Sequence, residues 1–449
     1  MEIKIPTSII NVMKALEKCH YEVYLVGGSV RDQLMELAIN DYDLTTSATP
    51  DQMQSVFHDV YPIIPTGIKH GTLTIIVDHK AVEITTFRKD KNYENHRTPN
   101  QVIFTPSLLE DLKRRDFTIN AIAYHPSKGI IDPFNGLADI KKRIVRCVGD
   151  PNKRFDEDAL RMMRAIRFSH ALNFTIESKT KAAIIKQSHL LSFISNERIM
   201  QELVKCLKSE NKDLLYKLQE VHLLDKILPD VANMVNFDQQ SPWHIYDLFK
   251  HTQIALNNAS TYSINLKLAI LLHDIGKLST QNFDEHGIAH YKKHAYVSCQ
   301  QAQLILKRLC FDRKTISNVM QLIEYHDYYL QNNERIVVRF LNKINYDYDL
   351  ARDILLVQLA DDLAKNPEKV KAKIEVIQSC LKMIETMKEN QSCITLKTLA
   401  INGNHLITLG YKNKEIGDTL VEILEKVNDH ALDNNLQALL HYAKKVSPN

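Results

Sequence analysis

A short β-rich run, Val23-Tyr24-Leu25-Val26, is stopped by Gly27-Gly28 and followed by Ser29 to Leu37, where Val30, Leu34 and Leu37 recur at helical spacing. Few arrangements fit a strand, a glycine turn and a helix into so little chain. The glycines let the backbone turn tightly and come close to a ligand. A helix start then turns N–H groups and the positive dipole end toward that ligand, which suits a triphosphate. Arg31 adds a cation in the first turn. Asp41 and Asp43 follow two residues apart, so a strand would set them on one face. Two carboxylates beside a phosphate cradle suit Mg²⁺, as one ion or two, and in-line phosphoryl displacement.

The ordered combination of strand, Gly-Gly-x-x-Arg-Asp and Asp-x-Asp resembles the head of the DNA polymerase β-like nucleotidyltransferases. The branch it resembles is class II, which holds tRNA CCA-adding enzymes and bacterial poly(A) polymerases. The resemblance implies a third catalytic carboxylate on a neighbouring strand. Glu83, in Ala81-Val82-Glu83-Ile84-Thr85-Thr86-Phe87, is the candidate. Arg88 to Pro99 is charged and non-periodic, reads as a loop, and resembles the flexible loop used in the switch to A addition. Arg114-Arg115-Asp116-Phe117-Thr118-Ile119-Asn120-Ala121 resembles a signature near the ribose and triphosphate. Arginine binds phosphate bidentately, and Asp or Asn can hydrogen-bond ribose hydroxyls. The resemblance implies that Gly28, Arg31 and Arg115 hold the triphosphate.

Arg154 to Phe168 forms a helical wheel with Ala159, Met162, Met163 and Ile166 on an apolar arc and Glu157, Arg161, Arg164 and Arg167 opposite. The string resembles the family's Glu-Asp-x-x-Arg motif, whose Asp and Arg read the Watson–Crick edge of the incoming base. That role is carried to Asp158 and Arg161, with Glu157 in support. A carboxylate accepts from the exocyclic amine of cytosine or adenine, which uracil and guanine lack at that place. Arg164 and Arg167 would neutralise phosphate charge. Asn196 to Leu203 matches a neck motif and is given a structural role.

Further on, His251, His273-Asp274, His294, His326 and Asp361 occur in an order that resembles an HD-type phosphohydrolase domain. The resemblance implies a metal held by His251, His273, Asp274 and Asp361, with Asp362 the alternative to Asp361. His294 and His326 match positions that bind a second metal or a substrate phosphate in some relatives. Imidazole and carboxylate ligands suit Mn, Ni, Fe or Mg. The activity implied is hydrolysis of a phosphoester.

At 449 residues the chain exceeds one core. Four parts are expected: an α/β nucleotidyltransferase head of polymerase β-like sheet and helices (1–150), then an all-α neck (151–240), HD domain (241–370) and tail (371–449). The seven scattered cysteines, with no Cys-x-x-Cys, predict reduced thiols in a cytoplasmic protein, and the N-terminus lacks a signal-peptide pattern. A net charge of +3 permits an RNA partner through a local patch. The function expected is addition of C, C and A to tRNA from CTP and ATP with Mg²⁺, with tRNA, ATP and CTP as partners and neither membrane nor DNA among them. The alternatives are the A-adding half of a split system and a poly(A) polymerase. Rivals of another class are an HD phosphohydrolase whose head only binds RNA, and a plain RNA-binding module; the intact acidic pair speaks against both.

Overall fold

A seven-stranded sheet carries the first of two compact units, Met1–Pro229 and Asp230–Asn449. The computed structural model describes residues 3–446 except 40, 65–66, 69–70, 95–97, 391–395, 397 and 429–430, with the backbone alone over 90–94 and 98–101. In chain order the first unit runs α1 (Thr7–Lys18), β1 (Val23–Val26), α2 (Gly28–Leu34), β2 (Tyr42–Thr46), α3 (Pro50–Phe57), β3 (Ile63–Ile64), β4 (Thr72–Val77) and β5 (Lys80–Thr86). It continues through β6 (Arg88–Glu94), β7 (Thr98–Phe104), α4 (Leu108–Lys113), β8 (Ala123–His125), β9 (Gly129–Ile131), α5 (Gly136–Lys142) and β10 (Ile144–Val145). Then come α6 (Pro151–Glu157), α7 (Leu160–Ala171), β11 (Thr175–Ile176), α8 (Ser178–Gln187), α9 (Asn196–Leu207), α10 (Leu214–Glu220) and α11 (Leu224–Ile227).

The strand order is β3-β4-β5-β2-β1-β8-β9, antiparallel throughout except for the parallel β2–β5 pair. That one parallel pairing sets Asp43 in register with Glu83. β1 is buried on both faces, so its alternating side chains serve two cores. Val23 and Leu25 join Val12, Leu16, Leu44, Met53 and Ile84 on one side. Tyr24 and Val26 join Phe87, Leu112 and Ala123 on the other. The hairpin between β4 and β5 turns on Asp78 and His79, both at positive φ, as a two-residue turn with the sheet's own twist requires.

Two local expectations change. The stretch read as a loop over 88–99 pairs instead as the antiparallel ribbon β6–β7, with 95–97 outside the described residues. The helix read as continuous over 154–168 breaks at Asp158, whose backbone is extended at φ −143 and ψ 103. Its carboxylate takes the Leu160 N–H at 3.1 Å and so starts a new helix.

α12 (Pro229–Ala232) carries the chain across the division. The second unit is then helical: α13 (Leu248–Asn258), α14 (Ile264–Leu272), α15 (Lys277–Thr280), the hairpin β12 (Asn282–Phe283) and β13 (Ala289–His290), α16 (His294–Arg308), α17 (Arg313–Tyr325), α18 (Glu334–Lys343) and α19 (Tyr348–Asp362). α20 (Pro367–Glu389), α21 (Gly403–Thr408), α22 (Lys414–Asn428) and α23 (Leu436–Val446) complete it. α14, buried from Leu266 to Leu272, packs against α13, α16, α17 and α19. Among the described residues no helix is long and apolar enough to cross a membrane.

Gly136 opens α5 where a Cβ would lie 2.2 Å from the Thr118 carbonyl oxygen and 2.8 Å from Ile122 Cγ1. Gly136→Ala is therefore expected to lower stability by about 1–3 kcal/mol, the usual cost of overpacking, read from urea unfolding midpoints.

Candidate active site and metal centre

The glycine turn, the acidic strand and the neck helices face one cavity of about 650 Å³ in the first unit. Gly27 takes φ +70, and a Cβ there would meet Arg115 Nη1 at 3.3 Å and Asp43 Oδ2 at 3.7 Å. The backbone thus passes between a cation and a carboxylate where only glycine fits easily. Gly28 starts α2, which has only seven residues, so the cationic character of the site comes from side chains more than from a helix dipole. Asp43 and Glu83 both line the cavity from adjacent strands. Burial, and then the nearby Glu83 carboxylate, push the Asp43 pKa up to about 6 against the pull of Arg115. Such a carboxylate is one that a divalent cation would hold ionised. Asp41 is exposed, lies one residue before β2, and does not line the cavity. Asp41 is near enough to Asp43 for its charge to add to the upward push on the Asp43 pKa. Among the described residues, Asp41, Asp43 and Glu83 are not gathered within 4.8 Å of one another.

Eight arginines line the cavity against four carboxylates, and no lysine does among the described residues. A surplus of guanidinium groups matches a polyanion that accepts bidentate hydrogen bonds. The arginines are held in place by acidic partners. Arg31 donates to Asn120 Oδ1 at 2.6 Å and to Asp32 Oδ1 at 2.8 Å. Asn120 Nδ2 donates to Asp116 Oδ1 at 3.1 Å, and Arg164 Nε donates to Asp116 Oδ2 at 2.7 Å. The signature string therefore links α2 to α7, because a 3₁₀ turn over Thr118–Asn120 brings residues 116 and 120 together. Burial would raise the Asp116 pKa, but Arg164 and Asn120 outweigh it and hold it well below the usual carboxylate range. The fully buried Asp111 accepts from Arg114 at 2.8 Å and from Arg115 at 3.2 Å. Arg31, Arg164 and Arg167 crowd around the Phe168 ring at 4.9, 5.4 and 4.2 Å. Burial, and then the adjacent Arg164, lower the Arg167 pKa, a repulsion that a bound anion would relieve.

Arg161 is buried and donates to Glu157 Oε2 at 2.8 Å and to the Arg114 carbonyl at 3.0 Å. Asp158 pairs with Arg198 of α9 at 3.0 Å. Arg167 pairs with the buried Glu202 of α9 at 2.8 Å. The charged arc of the helical wheel is thus a wall of the cavity. Asp111, Arg198 and Glu202 were missed as site residues. Asp111 carries no sequence signal beyond its nearness to Arg114-Arg115. Arg198 and Glu202 are spaced i, i+4, which puts them on one face of α9.

In the second unit, His251, His273, Asp274 and Asp361 are all buried and offer ligand atoms within 4.8 Å of one another. His251 Nε2 lies 2.9 Å from Asp361 Oδ1, and His273 Nε2 lies 3.1 Å from Asp274 Oδ2. None of these four atoms makes a well-formed hydrogen bond. Each Nδ1 instead faces a backbone carbonyl, that of Ala364 for His251 and that of Ile270 for His273. A proton on Nδ1 leaves the Nε2 lone pairs aimed at the centre, as metal ligation requires. Burial disfavours a charged His273, yet Asp274 and Asp361 together hold its pKa up at about 10, so the cluster calls for positive charge. The residues fit a divalent ion. Asp274 also belongs to a second group with His294 and His326. Asp361 faces the cluster, whereas Asp362 Oδ1 is taken by Lys365 at 2.7 Å. Lys277 and Lys365, also missed from sequence, sit 2.7 Å from Asp274 and Asp361. Gly276 allows this packing, since a Cβ there would lie 2.6 Å from the His294 carbonyl oxygen.

Two family descriptions match the chain: "Poly A polymerase head domain" over residues 23–146 and "Probable RNA and SrmB- binding site of polymerase A" over residues 173–235. The CCA-adding enzyme of Lactobacillus helveticus (strain DPC 4571) is 35% identical over 440 residues, 97% of this chain and 96% of that protein. That of Lactobacillus johnsonii (strain CNCM I-12250) is 49% identical over 199 residues, 44% of this chain and 49% of that protein. Among solved structures, the Bacillus stearothermophilus CCA-adding enzyme in complex with CTP is similar at a TM-score of 0.74 and 25% identity, covering 98% of this chain and 96% of that one. The Thermotoga maritima CCA-adding enzyme complexed with tRNA shares the fold at a TM-score of 0.58 and 20% identity, covering 98% and 96%.

Asp116→Asn breaks a buried ion pair and is expected to cost about 3 kcal/mol at neutral pH. The folded-state pKa of Asp116 is depressed, so its contribution is complete above the unfolded value near 3.8 and is lost as pH falls below it. Unfolding midpoints of the two proteins should accordingly converge below about pH 4.

Proposed function

The chain belongs to the CCA-adding enzymes, and from that premise we propose that its first unit adds C, C and A to the 3′ end of tRNA, using CTP and ATP and releasing pyrophosphate. The observation that carries this is one cavity where, among the described residues, an all-arginine cationic lining meets Asp43, Glu83 and the Asp158 carboxylate. In this reading the chain divides into a head to residue 150, a neck to 240, an HD domain to 370 and a tail.

Asp41, Asp43 and Glu83 are the residues that would hold Mg²⁺, which when bound supplies Lewis-acid stabilisation of charge at the reacting phosphate. The 3′-hydroxyl oxygen of tRNA displaces pyrophosphate in line. Gly28, Arg31 and Arg115 receive the triphosphate, and Arg164 and Arg167 offset its charge. The arginines are braced before any nucleotide arrives, so little reorganisation is needed as charge moves onto the leaving group. Asp158 accepts from the amine of cytosine or adenine while Arg161 donates to the ring edge. Uracil and guanine would face Asp158 with an acceptor and are rejected.

For the second unit we propose metal-dependent hydrolysis of a phosphoester. His251, His273, Asp274 and Asp361 would hold the ion, one of Mn, Ni, Fe or Mg, which when bound supplies an activated water at neutral pH. Asp274 would be shared with His294 and His326. Lys277 and Lys365 fix the two carboxylates. A tRNA substrate and free thiols at the described cysteines support a cytoplasmic location.

Transcripts of one tRNA ending before CCA, after C and after CC, offered CTP and ATP, are expected to be completed to CCA and to stop there. A long A ladder from ATP alone would contradict the proposal. Asp43→Ala is expected to slow nucleotide transfer about a thousandfold, the several kcal/mol that a metal clamp provides. His273→Ala and Asp274→Asn are expected to lose the bound divalent metal of the purified protein, measured by elemental analysis, while CCA addition persists. Unchanged metal content would contradict the assignment of the cluster.

A further inference from the structure

We infer that Arg198 is a positioning residue for base selection: it aims the Asp158 carboxylate, and its helix ties that corner of the cavity to a phosphate-facing arginine. The inference rests on Asp158 being the group that accepts from the base.

Asp158 stands in extended backbone between α6 and α7, so no helical turn fixes its side chain. Its direction is set by two donors. The Leu160 N–H reaches Oδ1 at 3.1 Å. The Arg198 guanidinium reaches both oxygens, Nη2 to Oδ2 at 3.0 Å and Nη1 to Oδ1 at 3.4 Å. A carboxylate offers about four lone-pair sites. The fork takes one on each oxygen and Leu160 takes another on Oδ1, which leaves the free site on Oδ2. The fork holds the carboxylate plane, so it also holds the direction of that free site. Discrimination between an amine and a carbonyl on a base edge depends on that direction.

Glu202 lies one turn beyond Arg198 on α9, is 3% exposed, and pairs at 2.8 Å with Arg167 of α7. α9 therefore gives a cation to Asp158 and an anion to Arg167. Two pairs of opposite polarity across the two helices fix one register, because a slip would set like charges together. Arg198, Asp158 and Arg167 all line the cavity. Their packing thus links how the base is read with where triphosphate charge is received.

The test is steady-state kinetics of the first addition to tRNA ending before CCA, with CTP and with UTP, alongside unfolding midpoints. Arg198→Ala is expected to lower the CTP over UTP preference in kcat/KM by about tenfold, mainly through kcat. Arg198→Lys restores charge without the fork and should recover only part of the preference. The double variant R198A/D158N should be no less selective than Asp158→Asn alone, because both changes act on one acceptor. Glu202→Gln should instead raise KM for CTP and UTP alike. If Asp158→Asn loses the preference and Arg198→Ala keeps it, the inference is wrong and the reading of Asp158 stands. If Asp158→Asn keeps the preference, the reading of Asp158 fails and the inference with it. Equal losses with CTP and UTP in Arg198→Ala, restored in full by Arg198→Lys, would show a structural brace and overturn the inference.

Discussion

Placing many guanidinium groups around one cavity is the constraint on which the first unit depends. Like charges in a partly dry space repel strongly, and an arginine cannot escape by losing its proton. The fold answers seven of these arginines with an acidic or amide partner: Asp111 for Arg114 and Arg115, Asn120 and Asp32 for Arg31, Asp116 for Arg164, Glu157 for Arg161, Glu202 for Arg167 and Asp158 for Arg198. Eight arginines against four carboxylates on the cavity wall keep a surplus of positive charge there. This is the preorganisation that a polyphosphate needs, since dipoles and charges are already oriented when charge shifts in the reaction.

The partners come from separate stretches of chain, so the site is also what holds the head and neck elements of the first unit together. Asp116 and Asn120 join α2 to α7 by one hydrogen-bonded chain. The break at Asp158 frees its carboxylate to start α7 and to line the cavity. α9, which looked structural, supplies Arg198 and Glu202 to the same wall.

The second unit solves the reverse problem. Its cluster gathers two buried carboxylates and two imidazoles whose Nδ1 atoms face the backbone. Lys365 takes the outer oxygen of Asp361 and Lys277 reaches Oδ2 of Asp274, while His251 Nε2, His273 Nε2 and Asp361 Oδ1 stay without hydrogen-bond partners. An orphaned set of hard and intermediate donors is costly in a dry core unless a cation completes it.

Much of this was legible in the chain itself. Hydrophobic period and glycine placement gave β1, the turn and α2, because those patterns act within a few residues. The order of His251, His273-Asp274 and Asp361 picked out residues that the fold does gather, since two of them are adjacent and the others lie on regular helices. By itself, then, the sequence determined the first strand, turn and helix, the family and the residue types that carry the chemistry. Only the tertiary structure decided which acid answers which arginine, that Asp43 and Glu83 line the cavity from paired strands, and that Arg198 faces Asp158. Those outcomes depend on strand ends, on one parallel pairing and on helices meeting from distant parts of the chain, and local periodicity holds no information about partners so far away.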